Sequence, residues 1–514
     1  MQVVSVEQIQ KIEKSADAAG LSYEQMMENA GVGIAYWVAD HLPLYNGVIG
    51  LVGSGNNGGD TLIALRTLSV MGVRTYAFLL KDRGDDPLLV RYRERGGNIL
   101  DLRDIKNLDY FESVLKPGSV LLDGILGTGF RLPLRGALAQ LMTLVHKSLQ
   151  NAPEVLKIAV DCPSGMDCDT GAVSNVIIPA QYTLTMAAVK KGLLLHPARS
   201  YVGEIQLIDI GIDARHFENL GPLPQVITGD LAIEYLPERP DMGHKGTFGT
   251  CQILAGSPQF VGAAFLAGKA AYRSGCGLVN MVTCPNVYDH LAGKLIEAVW
   301  MVLPESDGGY DPDRVQLLND QFTRSDALVI GPGWGLSESN VEFLDHLLDR
   351  IPVDLPTLID ADGLKLLARL DQWWKRLPKG TILTPHPGEM AVLTGRSTGE
   401  IQSNRWEIAA EYAQKWGVQL ILKGAMTVVA SANGTVHISP FSEPALATAG
   451  SGDVLSGIIG GLLAQSLSAE RASILGVWIH AQAGKIAKDN LGTDISVTAI
   501  DILDGISEAF ACCV

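Results

Sequence analysis

VIGLVGSGNNGGD, residues 48–60, runs five apolar or small residues into a stretch with glycine at positions 53, 55, 58 and 59 and an acid at 60. A short apolar run bounded by glycines reads as a buried strand, and a helical pattern follows from Leu62. A strand that turns on glycines directly into a helix is the start of a parallel βα unit. The spacing of Gly53, Gly55 and Gly58 satisfies the dinucleotide fingerprint, by itself a weak signal. Asn56, Asn57 and Asp60 do not suit a plain pyrophosphate cradle, because a carboxylate in the first helical turn competes with phosphate for the positive helix end. The loop reads instead as a polar or cationic constellation.

The same rhythm extends in both directions. Ser5 and Gln8 are spaced as a capping box, opening a helix with Ile9, Ile12 and Ala16 on one face. Strands are predicted at Val48–Val52, Thr75–Leu80, Val120–Leu122, Ile158–Val160, Gln181–Thr185 and Glu204–Ile208. After a Pro- and Gly-bearing connection over 211–241, further strands are predicted at Cys251–Ala255, Leu278–Thr283, Ala327–Ile330, Thr357–Asp360 and Gln419–Leu422. The fold class is α/β in two domains, residues 1–218 and 226–514. The first is a Rossmann-like doubly wound sheet, and each half should hold a site at its strand ends.

Bulk properties narrow the classes of partner. With 514 residues, 47% of them hydrophobic, the chain can bury more than one core. A net charge of −16 and the lack of any basic run make nucleic acid an unexpected partner. Glu7, Glu13 and Asp17 interrupt the N-terminus, which lacks a signal-peptide layout, and the longest apolar stretch, Val454–Ala464, is too short to span a membrane. Seven cysteines without metal or redox spacing point to reduced thiols in a cytoplasm. Cys512 and Cys513 read as a frayed, inert tail, and Trp373, Trp374 and Trp406 as packing.

Two further loops match the first: Asp123-Gly124-Ile125-Leu126-Gly127-Thr128-Gly129 and Asp161-Cys162-Pro163-Ser164-Gly165. Amide, hydroxyl and carboxylate oxygens converging from three strand ends suit a hard cation and an acid/base carboxylate. With these motifs, residues 5–213 resemble the NAD(P)H-hydrate epimerase family. The resemblance implies potassium bound by Asn57, Asp123 and Ser164. It also implies that the hydrated nucleotide is held by Asn56, Asn57, Gly58, Gly59 and Asp60, by Gly127, Thr128, Gly129, Phe130, Arg131, Leu132 and Pro133, and by Asp161, which would do the acid/base work. Thr61 stands where the family usually has glycine and Cys162 where it has isoleucine. The segment Met186–Gly192, with Lys190 and Lys191, matches the family's lysine-bearing strand end only loosely.

The strongest single motif is Ala447-Thr448-Ala449-Gly450-Ser451-Gly452-Asp453, directly before the helix predicted over Val454–Leu463. Its glycines let amides at a helix start approach a phosphoryl oxygen, and the acid can take a proton from an attacking hydroxyl. Lys423–Thr427, the Thr384–Glu389 loop and Gly331–Gly335 supply further polar turns, and no P-loop is present. Together with His244–Gly246, Gly256–Pro258, Gly262–Ala264 and Asp360–Asp362, these motifs make residues 231–509 resemble the NAD(P)H-hydrate dehydratase branch of the ribokinase-like α/β/α fold.

That resemblance makes Asp453 the catalytic base, with Ala263, Gly333, His386 and Asp453 in the hydrate pocket and Lys423, Gly424, Ala425, Met426, Thr427 and Gly452 on the nucleotide. It implies ADP as co-substrate, Mg2+ in the dehydratase half, K+ in the epimerase half, NADHX and NADPHX as substrates and a homo-oligomeric assembly. Trp334 replaces the family's usual leucine. The competing readings are a ribokinase-like small-molecule kinase with a non-catalytic nucleotide-binding N-terminal domain, and a binding protein whose first half has lost catalysis.

Overall fold

Val48–Val52 forms β1, the strand on which the first sheet turns, and every residue of it is buried. Its Val48 and Val52 face a core with Ile34, Leu62 and Leu65, while Ile49 and Leu51 face a second core with Phe78, Phe111 and Met142. A strand apolar on both faces is what a parallel sheet covered by helices on both sides requires. The computed structural model describes residues 1–42 and 46–513, and the chain divides into two units, Met1–Leu223 and Pro224–Val514.

In the first unit β1 is joined by β2 (Thr75–Leu79), β3 (Asn98–Asp101), β4 (Val120–Gly124), β5 (Leu156–Val160), β6 (Tyr182–Met186) and β7 (Glu204–Ile208). All pair in parallel in the order β3-β2-β1-β4-β5-β6-β7. Only β3 was not predicted: it is a four-residue edge strand whose residues are at least partly exposed. Strand order reverses between β1 and β4, the position where open α/β sheets bind ligands.

Two helices bring further residues to that crevice. The capping box of Ser5 and Gln8 starts the helix Val6–Ala18, which buries Val6, Ile9, Ile12 and Ala16. Ahead of it, Val3–Val4 pairs in parallel with Val189–Lys190. The helix after β1 runs Asn56–Val70, six residues earlier than the predicted start at Leu62, and its N-cap Gly55 makes no side-chain cap. Asp60 is therefore in the second turn and caps nothing; helical glycines 58 and 59, read as loop, shift the start.

Gly53 makes this turn possible, because a Cβ there would lie 1.9 Å from the Ile125 carbonyl oxygen. Neither backbone can yield without parting β1 from the loop after β4. Gly53→Ala is expected to destabilise the first unit by about 2–3 kcal/mol, measured by denaturant unfolding, with the activity of the second unit retained.

The second unit carries a ten-stranded sheet built from β8 (Gln225–Val226), β9 (Thr250–Leu254), β10 (Leu278–Thr283), β11 (Val299–Val302), β12 (Ala327–Ile330), β13 (Thr357–Ile359), β14 (Ile382–Leu383), β15 (Gln419–Leu422), β16 (Val428–Ala430) and β17 (Val436–Ile438). The order is β8-β17-β16-β15-β14-β13-β12-β9-β10-β11, parallel except for the β15-β16-β17 meander. The predicted strands all form. The unpredicted ones are two to four residues long, too short for a periodicity to register. The connection read as irregular over 211–241 holds the short helices Arg215–Glu218 and Gly229–Glu234 and the strand β8. Nor is the C-terminal tail frayed: Cys513 is 4% exposed, and its Sγ bonds to the Ala509 carbonyl.

Candidate functional site

Each unit holds a cleft at the carboxyl ends of its parallel strands. In the first unit the cleft is about 1010 Å³, lined among others by Glu13, Asn56, Asn57, Asp60, Asp161 and Lys190. Three loops meet in a buried cluster beside it. Ser164 donates from Oγ (2.6 Å) and from its backbone N–H (2.9 Å) to the buried Asp123 carboxylate, whose proton affinity burial pushes up to about 6. Asn57 Nδ2 donates to the carbonyls of Leu126 (3.0 Å) and Val160 (2.6 Å), and Leu126 N–H donates to Ser164 Oγ (2.9 Å). The three residues expected to hold potassium are thus gathered with two main-chain carbonyl oxygens in one buried cluster. A hard monovalent cation takes such oxygen donors, so the residues present fit it.

Asp161 stands just past β5 with φ at 64°, a left-handed conformation that turns its carboxylate toward the end of β6. There Oδ1 accepts from Lys190 Nζ, Thr185 Oγ1 (3.1 Å) and Met186 N–H (3.2 Å). Lys190 is 2% exposed and also donates to Thr185 Oγ1 (3.1 Å) and the Met186 carbonyl (2.9 Å). The strand end that matched its family only loosely therefore delivers the lysine, and Lys190 rather than Lys191 is the residue at the site. Asp60 is buried on the same cleft, and burial followed by the Asp161 charge raises its carboxyl well above the usual range.

Not every expected contact residue reaches the cleft. Gly127, Thr128, Gly129, Phe130 and Arg131 line it, whereas Gly58, Gly59, Leu132 and Pro133 do not. Gly58 and Gly59 serve packing instead: a Cβ on Gly58 would lie 2.1 Å from the Gly53 carbonyl, and one on Gly59 2.8 Å from Met27 Sδ. Thr61, the departure from the family pattern, is fully buried, and a Cβ on residue 124 would meet its Oγ1 at 1.9 Å. Glycine at 124 makes room for the hydroxyl. Glu13, Lys81 and Arg91 also line the cleft and carried no motif in the sequence.

The second cleft, about 540 Å³, lies over the ends of β13, β14 and β15 and is lined by Asp360, His386, Glu389, Lys423 and Gly450–Asp453 among others. The helix Ser451–Ala464 begins three residues before its predicted start, with N-cap Gly450 at φ 89°. Asp453 accordingly sits in the first turn, beside the free amides of a helix N-terminus. Burial, then the neighbouring Asp360, pushes Asp453 up to about 7.

Beneath it, Lys423 Nζ donates to Asp360 Oδ1 (2.6 Å) and Ser456 Oγ to Asp360 Oδ2 (2.6 Å). Burial would raise Asp360, but the lysine and hydroxyl donors outweigh it and hold the carboxyl below its usual range. Likewise Lys423 stays raised despite burial because of Asp360 and Glu389. A Cβ on Gly452 would come within 3.4 Å of Lys423 Nζ, so this buried charge pair lies directly under the glycine-rich turn.

His386 caps the helix Pro387–Thr394: its Nδ1 accepts from Gly388 (3.0 Å) and Glu389 (3.2 Å) N–H. Nδ1 is thereby the acceptor, which puts the proton of the neutral ring on Nε2, 3.3 Å from Glu389 Oε1. Burial and Lys423 lower the affinity of this ring for a second proton. His480, unnoticed in the sequence, lines the cleft and bonds Ser451 Oγ through Nε2 (3.0 Å), with burial pushing it down to about 4.

Gly424, Ala425 and Thr427 line this cleft as expected. Met426 does not: it is 3% exposed at φ 54°. Ala263 and Gly333 also stand apart from the cleft lining. They meet at the reversal of strand order between β9 and β12, where a Cβ on Gly333 would lie 2.8 Å from Ala263 Cβ. Trp334 is 1% exposed and packs edge-on against Tyr310 and Phe343, a core position.

Known proteins resemble the chain along most of its length. Residues 251–508 match the family model for NAD(P)H-hydrate dehydratase, and residues 23–192 match that for the YjeF-related protein N-terminus. A Bacillus subtilis ADP/ATP-dependent NAD(P)H-hydrate dehydratase crystallised with ATP and Mg2+ is 31% identical, the match covering 57% of this chain and 99% of that one at a TM-score of 0.49. The bifunctional NAD(P)H-hydrate repair enzyme of Escherichia coli is 33% identical across 93% of this chain and 88% of its own length. That of Moorella thermoacetica is 36% identical over 493 residues, 93% of this chain and 91% of its own. With two clefts of this construction and matches of that length, the chain belongs to the bifunctional NAD(P)H-hydrate repair enzymes, epimerase in its first half and dehydratase in its second.

Proposed function

We propose that Asp453 is the catalytic base of the dehydratase half and that ADP is its phosphoryl donor. The observation that carries this is the position of Asp453, half-buried in the first turn of a helix that no side chain caps and above a buried Lys423–Asp360 pair. Asp453 takes the proton of the hydroxyl that hydration left on the nicotinamide ring, and that oxygen attacks the terminal phosphoryl of ADP. AMP departs. The new phosphate ester then leaves with the ring oxygen, and loss of a proton from the adjacent carbon restores the double bond, giving NAD(P)H and phosphate.

Backbone N–H groups of Gly450, Gly452 and Asp453 and the Lys423 charge face the transferring group, and Gly424, Ala425, Thr427 and Gly452 line the nucleotide side of the cleft. His386 lines the hydrate side with its Nε2–H. Magnesium usually rides on nucleotide phosphates with one or two carboxylates. Glu389, 3% exposed and on the cleft, is the residue here to supply one. Bound there, the ion would neutralise charge on the phosphoryl oxygens.

In the first half, Asp161, its charge held by Lys190, does the acid/base work that interconverts the R and S hydrates of NADH and NADPH. Asn57, Asp123 and Ser164 would hold potassium, which orders the loops around the substrate. Absorbance recovery at the reduced-nicotinamide band tests the whole reading when full-length protein meets a mixture of both epimers. Complete recovery is expected with ADP in potassium buffer, and recovery stopping at the S share when lithium replaces potassium. No recovery with either ADP or ATP would turn the second half into a small-molecule kinase.

A further inference from the structure

We propose that Asp60 is the proton donor of the epimerisation, acting on the same substrate as Asp161. This rests on the assignment of the first cleft to the epimerase.

Asp60 is 8% exposed, lines the cleft together with Asp161 and Lys190, and its carboxyl makes no hydrogen bond or ion pair with another described residue. The two carboxyls thus stand in opposite environments. Asp161 accepts from three donors, one of them an ammonium, as a carboxylate does. Asp60 has no donor. A buried, unpaired carboxylate is costly, and such a group keeps its proton instead. The groups around it give the same net sign: burial first and then Asp161 favour the acid form, Lys190 opposes them, and Glu13 from the N-terminal helix adds to the acid form against Arg83. Lys190 is already committed to Asp161. Helix Tyr23–His41 packs Gly31 against the Asp60 carbonyl and places Glu24, a further negative charge, on the cleft. Where two carboxyls on one cleft stand in such different environments, the one without donors serves as the acid and the one held by donors as the base.

The substrate needs one of each. Its damaged carbon bears the added hydroxyl and is bonded to the ring nitrogen, so it is a hemiaminal. Asp161 takes the hydroxyl proton, the C–O bond becomes C=O, and the C–N bond breaks with its electron pair passing to nitrogen. Asp60 delivers its proton to that nitrogen. Rotation about the carbon–carbon bond beside the aldehyde presents its other face. Nitrogen then closes onto it, returning one proton to Asp60 while Asp161 returns the other to oxygen. Asp60 ends protonated and Asp161 ionised, each as it began, so no oxidant, reductant or co-reactant is consumed.

The test is interconversion of a single purified hydrate epimer, followed by chromatography without nucleotide so that the dehydratase half is idle. In full-length protein Asp60→Asn is expected to lower kcat by roughly 10²-fold or more, with KM within about threefold and ADP-dependent dehydration of the S epimer unchanged. The wild-type rate should fall as rising pH strips the Asp60 proton, and this limb should be missing from the residual rate of Asp60→Asn. A variant that keeps kcat, or loses only affinity, overturns the role. If Asp60→Asn does not fold, a wild-type kcat that stays flat up to alkaline pH overturns it and a falling one upholds it. Asp161→Asn separates the two levels: if it still epimerises, the site assignment itself fails. If it is inactive while Asp60→Asn is active, only the proton donor is wrong.

Discussion

Asp453→Asn in the full-length chain is expected to lower ADP-dependent dehydration by roughly 10³-fold, about 4 kcal/mol of transition-state stabilisation, while epimerisation in the first half continues at its normal rate. The amide keeps the shape of the carboxylate and the helix start, so helix capping and cleft volume are preserved. What it cannot do is accept a proton from the attacking hydroxyl. The loss should appear in kcat, with KM for ADP little changed, because on the proposed reading the amides of Gly450, Gly452 and Asp453 and the Lys423 charge would still receive the phosphates.

Stability gives an independent check with a definite sign. The folded chain raises the Asp453 carboxyl from 3.8 to about 7, chiefly by burial. The folded state therefore holds that proton more tightly than the unfolded state, and ionising the group costs stability. The cost is absent below the unfolded value and complete above about pH 7. It is worth about 1.4 kcal/mol for each tenfold change in proton affinity. Asp453→Asn removes it, so the variant should unfold at higher denaturant than wild type at pH 8 and at a similar concentration near pH 4. An inactive but more stable protein would mark Asp453 as a residue kept for chemistry. One that is inactive and less stable at pH 8 would show that the carboxylate holds the loop.

Much of this was legible in the sequence because glycine and acid residues punctuate the strand ends that carry chemistry. VIGLVGSGNNGGD gave the central strand without error, and the three loops ending in Asp60, Gly129 and Gly165 do converge at one place. What escaped has common physical causes. Glycines 58 and 59 read as loop yet sit inside a helix, because close packing against Gly53 and Met27 excludes a side chain there. Glu13 and Arg91 reach the first cleft from helices whose sequence records only amphipathic spacing. Met426 lies in a loop that matches its family as a block, but within any such block the backbone turns some side chains away. His480 lies in the middle of a long buried helix, and only the tertiary packing shows that it meets Ser451.

Lys190→Met should have the largest effect in the first unit, and on two quantities at once. Lys190 is buried and its ammonium touches Asp161 Oδ1, Thr185 Oγ1 and the Met186 carbonyl, while its strand pairs with Val3–Val4. Methionine fills the slot but leaves the Asp161 charge without its cation. Breaking a buried pair from one side costs roughly 3–5 kcal/mol. Epimerisation should fall by at least about 10²-fold, since an uncompensated carboxylate takes up the proton it is meant to remove from substrate. Adding Asp161→Asn to Lys190→Met removes the stranded charge, so most of the lost stability should return while activity does not. A coupling of about 2 kcal/mol or more in that double-mutant cycle would show that the pair acts as a unit. Additive losses, or an active Lys190→Met, would mean that Lys190 only fills space at the end of β6.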